Sequence, residues 1–301
     1  MIILITGING FIGSALANHF VEAGYDVVGV GRRESLGAHV NAACRYIIAD
    51  ITKPIEKIAC DYVIHTAGIT DDKASPEDHR LVNVTGTQNV INATVHAKGF
   101  IFISSSSVYT FRKKIAYAEA DAGNEMHLLS AYGQSKLMAE NLVAMHCKQP
   151  YLILRPRAVY GPGDTVLLPR LADLVWKNKI LLPVHITKKI SLTHISNLVA
   201  VMSCAVNENR IEDKTFNIAD SQTYSLKAAI LHLLWVQKGL TPKLISIPAF
   251  LWELLIAFNH CFRINQKITR FGSRQLTSEA VMDISKAEQD FKGCFYYNLY
   301  S

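Results

Sequence analysis

The stretch IILITGINGFIGSALANHF, residues 2–20, decides how the first part of the chain folds. Its first residues, IILIT, are typical of a buried strand, and FIGSALANHF has the apolar spacing of a helix. Three glycines, Gly7, Gly10 and Gly13, lie where the strand ends and the helix begins. A glycine-rich turn in this context exposes the N–H groups of a helix N-terminus, so the stretch predicts a phosphate-binding loop.

The same alternation of strand and helix continues along the first half of the chain. DVVGV, YVIHTAG and FIFIS have the composition of buried strands, and LVNVTGTQNVINATVHAKG is typical of a helix between two of them. This order predicts an α/β fold with a doubly wound parallel sheet. After YLILRP, residues 151–156, the pattern loosens, although a helical stretch is predicted from Leu167 to Trp176. We therefore assign residues 1–156 to a nucleotide-binding domain and residues 157–301 mainly to a substrate lobe, with some segments returning to the sheet.

Composition excludes several classes of protein. With 50% hydrophobic and 19% charged residues, the chain of 301 residues is not largely disordered. Its net charge of +6 comes from short basic clusters such as Arg32–Arg33, Arg112–Lys113–Lys114 and Lys188–Lys189, too short for a nucleic-acid surface. Six cysteines without a Cys-x-x-Cys pair predict neither a metal site nor a redox motif, and they favour the cytoplasm.

The longest apolar segment, Leu244 to Phe258, contains Pro248 and Glu253. It is shorter than the roughly 18 to 20 residues that cross a bilayer, so we predict no transmembrane helix. The segment is typical of an apolar pocket wall or of a contact with a membrane surface, and equally of ordinary core.

The glycine loop and the end of the second strand predict a dinucleotide cofactor. Gly7 permits a tight turn, Gly10 lets the backbone approach a pyrophosphate, and Gly13 lets the helix lie close to the sheet. At the end of DVVGV the chain has Gly31, Arg32 and Arg33 where a carboxylate would bind an unphosphorylated ribose. Guanidinium groups there favour NADP over NAD, and an ordinary surface arginine pair is the alternative.

Two further segments predict acid and base chemistry. In YGQSK, Tyr132 and Lys136 are four residues apart, which places them on one face of a helix. A neighbouring ammonium favours the phenolate form of a tyrosine and makes proton transfer easier. The run ISSSSVY, residues 103–109, adds hydroxyl groups at the end of a strand, on the edge of the sheet where doubly wound folds bind ligands.

Taken in this order, the TGINGFIG loop, the serine run before Val108–Tyr109 and YGQSK make the chain resemble the extended short-chain dehydrogenase/reductase family, also called the NAD-dependent epimerase/dehydratase family. The resemblance covers nearly the whole chain and includes IADI, HTAG, NVTGTQNV and DISKAEQDF. It implies a Rossmann-type sheet with a smaller C-terminal substrate lobe, and it raises the expectation of a homodimer.

The resemblance also implies roles for residues. Ser105, three residues before Val108, would hydrogen-bond the substrate oxygen, with Ser106 as the alternative. Tyr132 would transfer the proton, and Lys136 would bind the nicotinamide ribose and lower the pKa of the tyrosine. The cofactor-binding residues implied by pattern and resemblance are Gly7, Gly10, Phe11, Ile12, Gly13, Arg32, Arg33, Asp50, Ile51, Ala67, Gly68, Asn83, Ser104, Tyr132, Lys136 and Pro156.

Departures from the family's nucleotide-sugar pattern indicate the branch. Those enzymes have Arg-x-x-Asn where this chain has Arg155–Pro156–Arg157–Ala158, and an arginine where it has Ile190. RPRAVYGPGD and SLTHISN resemble instead the 3β-hydroxysteroid dehydrogenase-like branch, whose substrates are apolar alcohols or ketones; His194 is expected to be structural. We predict an oxidoreductase acting on a small, steroid- or lipid-like molecule. A nucleotide-sugar 4-epimerase or reductase, and a non-catalytic NADP-binding regulator, are the alternatives.

Overall fold

The computed structural model describes residues 1–71, 73–111, 116–183, 188–248 and 279–301, together with residues 250–252, 254 and 257. The basic cluster Arg112–Lys113–Lys114 and part of the apolar segment that follows Leu244 lie outside the described residues. Within these ranges, no helix combines the length and the hydropathy that crossing a membrane requires.

The strands and helices follow each other as the alternating pattern predicts. The strands are β1 Ile2–Thr6, β2 Asp26–Gly31, β3 Arg45–Ile48, β4 Tyr62–His65, β5 Gly99–Ile103, β6 Tyr151–Pro156, β7 Val159–Tyr160, β8 Val175–Trp176, β9 Lys179–Pro183, β10 Lys189–Ile190, β11 Thr193–His194, β12 Lys214–Ile218, β13 Tyr224–Ser225 and β14 Lys243–Ile247. The helices are α1 Phe11–Glu22, α2 Pro76–Arg80, α3 Gly86–Ala93, α4 Ala131–His146, α5 Leu167–Ala172, α6 Ile195–Asn207, α7 Leu226–Lys238 and α8 Ser285–Asp290.

A parallel sheet of seven strands organises the molecule, in the order β12-β6-β5-β4-β1-β2-β3. The predicted Rossmann-type, doubly wound α/β fold is therefore confirmed. The chain order reverses at β1, which pairs with β2 on one side and with β4 on the other. Ligands of such sheets bind at this switch point, beyond the carboxyl ends of the strands. The position of the domain boundary at residue 156 stays a prediction, since β12 lies beside β6 in this sheet.

Both faces of the sheet are covered, which explains why its strands are almost continuously apolar. Successive side chains of a strand point to opposite faces. Ile3, Ile64 and Ile101 pack with residues of α1 and α6. Leu4, Val63 and Phe100 pack with residues of α3 and α4.

A separate apolar cluster holds the smaller lobe together. It joins α5 and α7 to the segments around β7, β10 and β13, and it reaches the loop after the serine run through Tyr109 and Phe111. The helix predicted from Leu167 to Trp176 ends earlier, at Ala172, because Val175 and Trp176 pair antiparallel with β9. The turn between β8 and β9 has positive φ angles at Lys177 and Asn178, the backbone of a tight hairpin turn.

Candidate active site

The glycine loop after β1 is packed so closely that side chains would not fit. Gly7 has a φ of 69°, and a Cβ atom on it would lie 2.8 Å from the Cα atom of Ala67, just after β4. A Cβ atom on Gly13 would lie 2.3 Å from the carbonyl oxygen of Gly7. The loop therefore forms a shallow cradle at the switch point of the sheet, which suits the pyrophosphate of a dinucleotide.

The first turn of α1 supplies the donors of this cradle. Gly10 is the N-cap, and the turn contains no acidic residue. The N–H groups at Phe11 and Ile12 belong to the first turn, where backbone donors have no partner within the helix. They carry the positive end of the helix dipole, so an anion is stabilised at this position.

The loop beyond β2 is held by the side chain of Asn9, which lies inside the glycine loop. Asn9 Oδ1 accepts from the Gly37 N–H at 2.7 Å, and Asn9 Nδ2 donates to the Tyr46 hydroxyl at 3.2 Å. That hydroxyl donates to the Arg33 carbonyl oxygen at 2.9 Å. Arg32 and Arg33 are exposed on this tethered loop. Two guanidinium groups are thus available to a phosphate beside the end of β2.

Asp50 and Ile51 follow β3 on the same side of the sheet. Asp50 Oδ1 accepts from the Thr52 N–H at 3.0 Å and from its hydroxyl at 2.9 Å. These bonds, together with the charges of Arg32 and Lys53, keep the pKa of Asp50 below its ordinary value. Ile51 is buried, and its carbonyl oxygen accepts from Asn89 of α3. The lowered pKa favours the ionised carboxylate.

The segment after β4 is fastened to α4 by a buried amide. Asn83, in the turn Leu81–Thr85 between α2 and α3, pairs with both backbone groups of Ile69, accepting from its N–H at 2.9 Å and donating to its carbonyl at 3.2 Å. It also donates to the Ser135 hydroxyl at 2.9 Å. A Cβ atom on Gly68 would lie 3.3 Å from Lys136 Nζ. Gly68 therefore lies beside the ammonium of Lys136, and Asn83 is bonded to the neighbouring Ser135. The cofactor-binding roles of Ala67, Gly68 and Asn83 stay a prediction.

Lys136 is the central buried cation of the site. Only 3% of the residue is exposed, and its Nζ atom donates to the Ile103 carbonyl oxygen at 2.8 Å. Nζ also lies 4.7 Å from the centre of the Phe102 ring. Burial lowers the pKa of Lys136 to about 8, while the negative charge of Glu140 opposes that decrease. Lys136 thereby ties α4 to the strand that leads into Ser105.

Ser105 begins a tight turn at the end of β5. Its Oγ atom accepts from the Ser107 N–H at 3.1 Å and donates to the Ser107 hydroxyl at 3.1 Å. Ser105 is only partly buried, whereas Ser104, Ser106 and Ser107 are buried. Of the four hydroxyl groups, that of Ser105 is the most accessible to a substrate.

Tyr132 lies in the first turn of α4, which packs directly on this serine turn. The helix begins after Ser130, whose hydroxyl accepts from the Gly133 N–H at 3.1 Å. A Cβ atom on Gly133 would lie 2.2 Å from the Ser107 carbonyl oxygen, so only glycine permits the contact. Tyr132 is partly buried, and its ring centre lies 5.9 Å from that of His79. The helix therefore brings Tyr132 and Lys136 to the strand end that carries Ser105.

Pro156 lies beside the serine turn. The β5–β6 register pairs Ile103 with Leu154, and the Ser104 N–H continues it by donating to the Leu154 carbonyl oxygen at 2.8 Å. Extending this register by two residues places Pro156 opposite Ser105. The structure thus brings the three predicted catalytic residues to one edge of the sheet, together with Gly68, Asn83 and Pro156. Arg32, Arg33 and Asp50 lie on the far side of the glycine loop.

Glu140 is a member of the site that sequence reasoning missed. It is buried and forms a two-point ion pair with Arg155 of β6, with Nε–Oε1 at 2.9 Å and Nη2–Oε2 at 2.6 Å. It also accepts from the hydroxyl of Ser104. Ser104 therefore bonds within the protein, in a network behind Lys136. A signal was present, because Glu140 stands four residues after Lys136 among apolar residues of α4.

His65 is a second residue that the sequence reasoning missed. It is fully buried at the end of β4, between the hydroxyls of Thr6 at 2.6 Å and Thr87 at 3.0 Å. Burial, with the Lys136 charge nearby, lowers the pKa of His65 to about 3. The imidazole therefore stays neutral and adds no second cation beside Lys136.

His194 has structural contacts in the lobe. Its Nδ1 atom accepts from the Ser196 N–H at the start of α6, and its ring stacks on Tyr297 with centres 5.0 Å apart. Its backbone N–H donates to buried Asp220 at 2.7 Å. This agrees with the structural role expected for His194.

Known proteins share both the sequence pattern and the fold. The family model described as "NAD dependent epimerase/dehydratase family" matches residues 3–219. A 2-alkyl-3-oxoalkanoate reductase of Stenotrophomonas maltophilia is 27% identical, over 97% of this chain and 94% of its own. A 3-beta-hydroxysteroid dehydrogenase of Mycolicibacterium neoaurum is 28% identical, over 65% of this chain and 58% of its own.

Among solved structures, UDP-glucuronic acid 4-epimerase of Bacillus cereus in complex with NAD superposes with a TM-score of 0.74. It covers 99% of this chain and 95% of its own at 23% identity, which establishes the shared fold. The relatives are reductases, dehydrogenases and epimerases, and an oxidoreductase that uses a nicotinamide dinucleotide fits them all. The chain belongs to the NAD-dependent epimerase/dehydratase family.

Proposed function

We propose that the protein is an NADP-dependent oxidoreductase that interconverts a ketone and a secondary alcohol on a lipid-like molecule. The observation that carries the proposal is the buried Lys136 of α4, bonded to Ile103 at 2.8 Å two residues before Ser105. This bond and the contact of Gly133 with Ser107 hold a phenol, an ammonium and a hydroxyl group at one strand end.

Each of these groups has one task in carbonyl reduction. Bound NADPH supplies the hydride that is added to the carbonyl carbon. The Ser105 hydroxyl donates a hydrogen bond to the carbonyl oxygen, and Tyr132 transfers its phenolic proton to that oxygen. The ketone thus gains one hydride and one proton and becomes the alcohol. The Lys136 ammonium stabilises the phenolate left behind, which solvent then reprotonates.

The preference for NADP rests on the loop beyond β2. Arg32 and Arg33 are exposed there, and Asn9 and Tyr46 tether the loop beside the glycine cradle. Guanidinium groups bind phosphate by paired hydrogen bonds, whereas an unphosphorylated ribose gains little from them. The fit of Gly7 and Gly13 to a pyrophosphate is common to both cofactors.

The apolar character of the substrate is supported by two positions in the lobe. Ala158 has no amide to offer a sugar diphosphate. Ile190 is 5% exposed and pairs with Tyr224 of β13, so it belongs to the apolar cluster of the lobe. The reductase relative is named for a 2-alkyl-3-oxoalkanoate and the dehydrogenase relative for a 3-beta-hydroxysteroid, and both compounds carry their ketone or alcohol on an apolar skeleton. A homodimer, a cytoplasmic location and a peripheral membrane contact remain predictions from the sequence.

A nucleotide-sugar 4-epimerase is the second candidate, favoured by the fold that the chain shares with UDP-glucuronic acid 4-epimerase. A diphosphate in this cleft would lack the amide and the guanidinium that the family's sugar enzymes provide. Desolvating it without such partners is costly. A non-catalytic regulator, the third candidate, would not need Ser105, Tyr132 and Lys136 together.

The test combines cofactor binding with turnover. The purified protein is titrated with NADPH and NADH by fluorescence, and NADPH oxidation is followed with long-chain 3-oxo esters, 3-oxosteroids and UDP-sugars. The proposal expects tighter binding of NADPH and turnover of an apolar ketone. Micromolar UDP-sugar binding would favour the epimerase, and NADPH binding without turnover of any compound would favour the regulator.

A further inference from the structure

Arg157 stands at the edge of the proposed active site without any part in the chemistry described above. It follows Pro156, which the strand register places opposite Ser105. Its own backbone N–H donates to the Thr193 hydroxyl at 2.9 Å, which fixes the chain where β6 ends. Arg157 therefore lies one residue beyond the strand position nearest the reacting groups.

The guanidinium of Arg157 is buried, and the residues that the structure describes give it no counter-charge. The residue is 9% exposed, and its Nε atom is enclosed without a hydrogen-bond acceptor. Among the described residues, no carboxylate pairs with it, and burial alone lowers its pKa to about 10. The terminal nitrogens are not enclosed. A ligand that binds Arg157 would contact these two nitrogens.

Arg155, two residues earlier, shows what a satisfied buried arginine looks like in the same strand. Its guanidinium pairs with both oxygens of Glu140 and also donates to the Tyr109 hydroxyl at 2.9 Å and the Glu119 carbonyl at 2.8 Å. Arg157 has five N–H donors as well. The difference between the two residues is that, in the described part of the chain, Arg157 has no acceptor of the kind that a desolvated cation normally requires.

The surroundings of Arg157 hold the cation in place. The Phe111 ring lies 4.6 Å from its Cζ atom and packs on Tyr109 and Tyr117 of the loop after the serine turn. Phe111 has a φ of 52° and Ala158 a φ of 44°, both in the left-handed region that L-residues seldom adopt. An aromatic face stabilises a desolvated cation less than a hydrogen-bonded anion does.

We propose that Arg157 binds a carboxylate of the substrate, so that the physiological substrate is a long-chain oxo acid or hydroxy acid rather than a neutral ketone or steroid. This inference rests on the proposed function and names the substrate class of the same site. A carboxylate matches the paired donors of a guanidinium, and it would supply the missing counter-charge while the apolar chain meets the lobe. The bond to Arg157 orients the carbonyl toward Ser105 and Tyr132.

The experiment compares an acid with its ester. NADP⁺-dependent oxidation of 3-hydroxydecanoate and of methyl 3-hydroxydecanoate is measured with the unmodified protein, Arg157→Met, Arg157→Lys and Arg210→Met. Arg210 is the matched control, an exposed arginine paired with Glu208 at the opposite edge of the sheet, before β12. Binding of 3-hydroxydecanoate to the NADPH-loaded protein, which cannot oxidise it, is measured by calorimetry as a readout without turnover.

The expected result is a loss that depends on the carboxylate. Arg157→Met lowers kcat/KM for the acid about 100-fold and weakens its calorimetric binding by a similar factor, and it changes kcat/KM for the ester less than about 3-fold. Arg157→Lys keeps part of the preference in kcat/KM for the acid over the ester. Arg210→Met leaves kcat/KM unchanged for both compounds. The affinity for NADPH is the same in all four proteins.

Three outcomes would overturn the inference. The first is an unmodified protein that uses acid and ester equally, a comparison that needs no folded variant. The second is an equal loss for acid and ester in Arg157→Met. The third is weaker NADPH binding in that variant, which would assign Arg157 to a cofactor phosphate. If the protein oxidises the ester without preferring the acid, the proposed function survives alone; if it turns over no ketone or alcohol at all, both fail.

Discussion

The helix α4, which carries Tyr132 and Lys136, and the segment Arg157–Gly161 meet at the same edge of the sheet, yet their polar groups have hydrogen-bond partners to different degrees. On α4, Lys136 bonds to Ile103, and Glu140 pairs with Arg155 and Ser104. In the segment, Arg157 is equally buried and lacks a counter-ion among the described residues. Under the proposed function, the protein itself holds Ser105, Tyr132 and Lys136 in place, and the substrate supplies the counter-charge of Arg157.

The contrast has an energetic meaning. Breaking a buried ion pair typically costs about 3–5 kcal/mol, because one charge is left without compensation. Among the described residues, Arg157 has no such compensation, whereas Arg155 has it from Glu140. We therefore expect the segment to favour an anion and α4 to hold its side chains in fixed positions. The following tests probe this difference, from the largest expected effect to the smallest.

The sharpest test of α4 as the reacting region is Tyr132→Phe. The variant keeps the ring beside His79 and removes only the hydroxyl group, which carries the transferable proton. We expect kcat to fall by a factor of about 10² to 10⁴, with NADPH affinity unchanged within a factor of about 3. Steady-state kinetics and fluorescence titration measure the two quantities. A rate within about 3-fold of the unmodified protein would show that Tyr132 is not the proton donor.

Glu140→Gln would make Arg155 resemble Arg157. Removing the carboxylate charge leaves the Arg155 guanidinium buried without compensation, so the free energy of unfolding should fall by about 3–5 kcal/mol in chemical denaturation. Glu208→Gln is the control, because it breaks the exposed pair with Arg210 and should cost less than about 1 kcal/mol. Equal decreases in the free energy of unfolding for the two variants would contradict the inference that the Glu140 charge compensates the buried Arg155.

The pH dependence of stability reports on Lys136. Burial lowers its pKa to about 8, below the ordinary value of 10.5. Between these values the unfolded chain binds more protons than the folded one, so this group makes the protein more stable as pH rises, by at most about 1.4 kcal/mol per pH unit. Chemical denaturation of the apo protein measures the free energy of unfolding at about pH 7 and about pH 9.5. Between these two pH values, this free energy should increase more in the unmodified protein than in Lys136→Met. A difference in the free energy of unfolding between the two proteins that is the same at both pH values would contradict the lowered pKa of Lys136.

The smallest expected effect concerns the basic loop beyond β2, which carries the exposed Arg32 and Arg33. Like Arg157, these two residues are proposed to bind an anionic group of a ligand. The double variant Arg32→Ala, Arg33→Ala should reduce the preference for NADPH over NADH about 10-fold, since it removes the phosphate contacts and leaves the glycine cradle intact. Fluorescence titration with both cofactors measures the ratio, and Arg210→Ala is the control. Equal affinities for the two cofactors in the unmodified protein would remove the assignment to NADP.

The sequence was most informative where chemistry depends on neighbours along the chain. The glycine loop and the strands β1, β2, β4 and β5 were predicted from local pattern, because a turn, a buried strand and a helical face each need only a few consecutive residues. The hairpin of β8 and β9 was not, since Val175 and Trp176 are held by pairing with Ile180 and Lys179, and local helical spacing does not reveal that pairing. Glu140 and His65 were missed for the same reason, because their partners lie 15 or more residues away in sequence.

By itself, the sequence determined the doubly wound sheet, the glycine cradle at Gly7 to Gly13 and the spacing of Tyr132 and Lys136, because these follow from backbone sterics and from the period of a helix. Only the tertiary structure decided that Arg155 is neutralised by Glu140 while Arg157 is not. The two arginines are two residues apart in one segment and have the same side chain. The free-energy cost of burying each cation differs, because that cost depends on how deeply the side chain is buried and on whether a carboxylate of another element lies beside it. Neither property can be read from the order of residues.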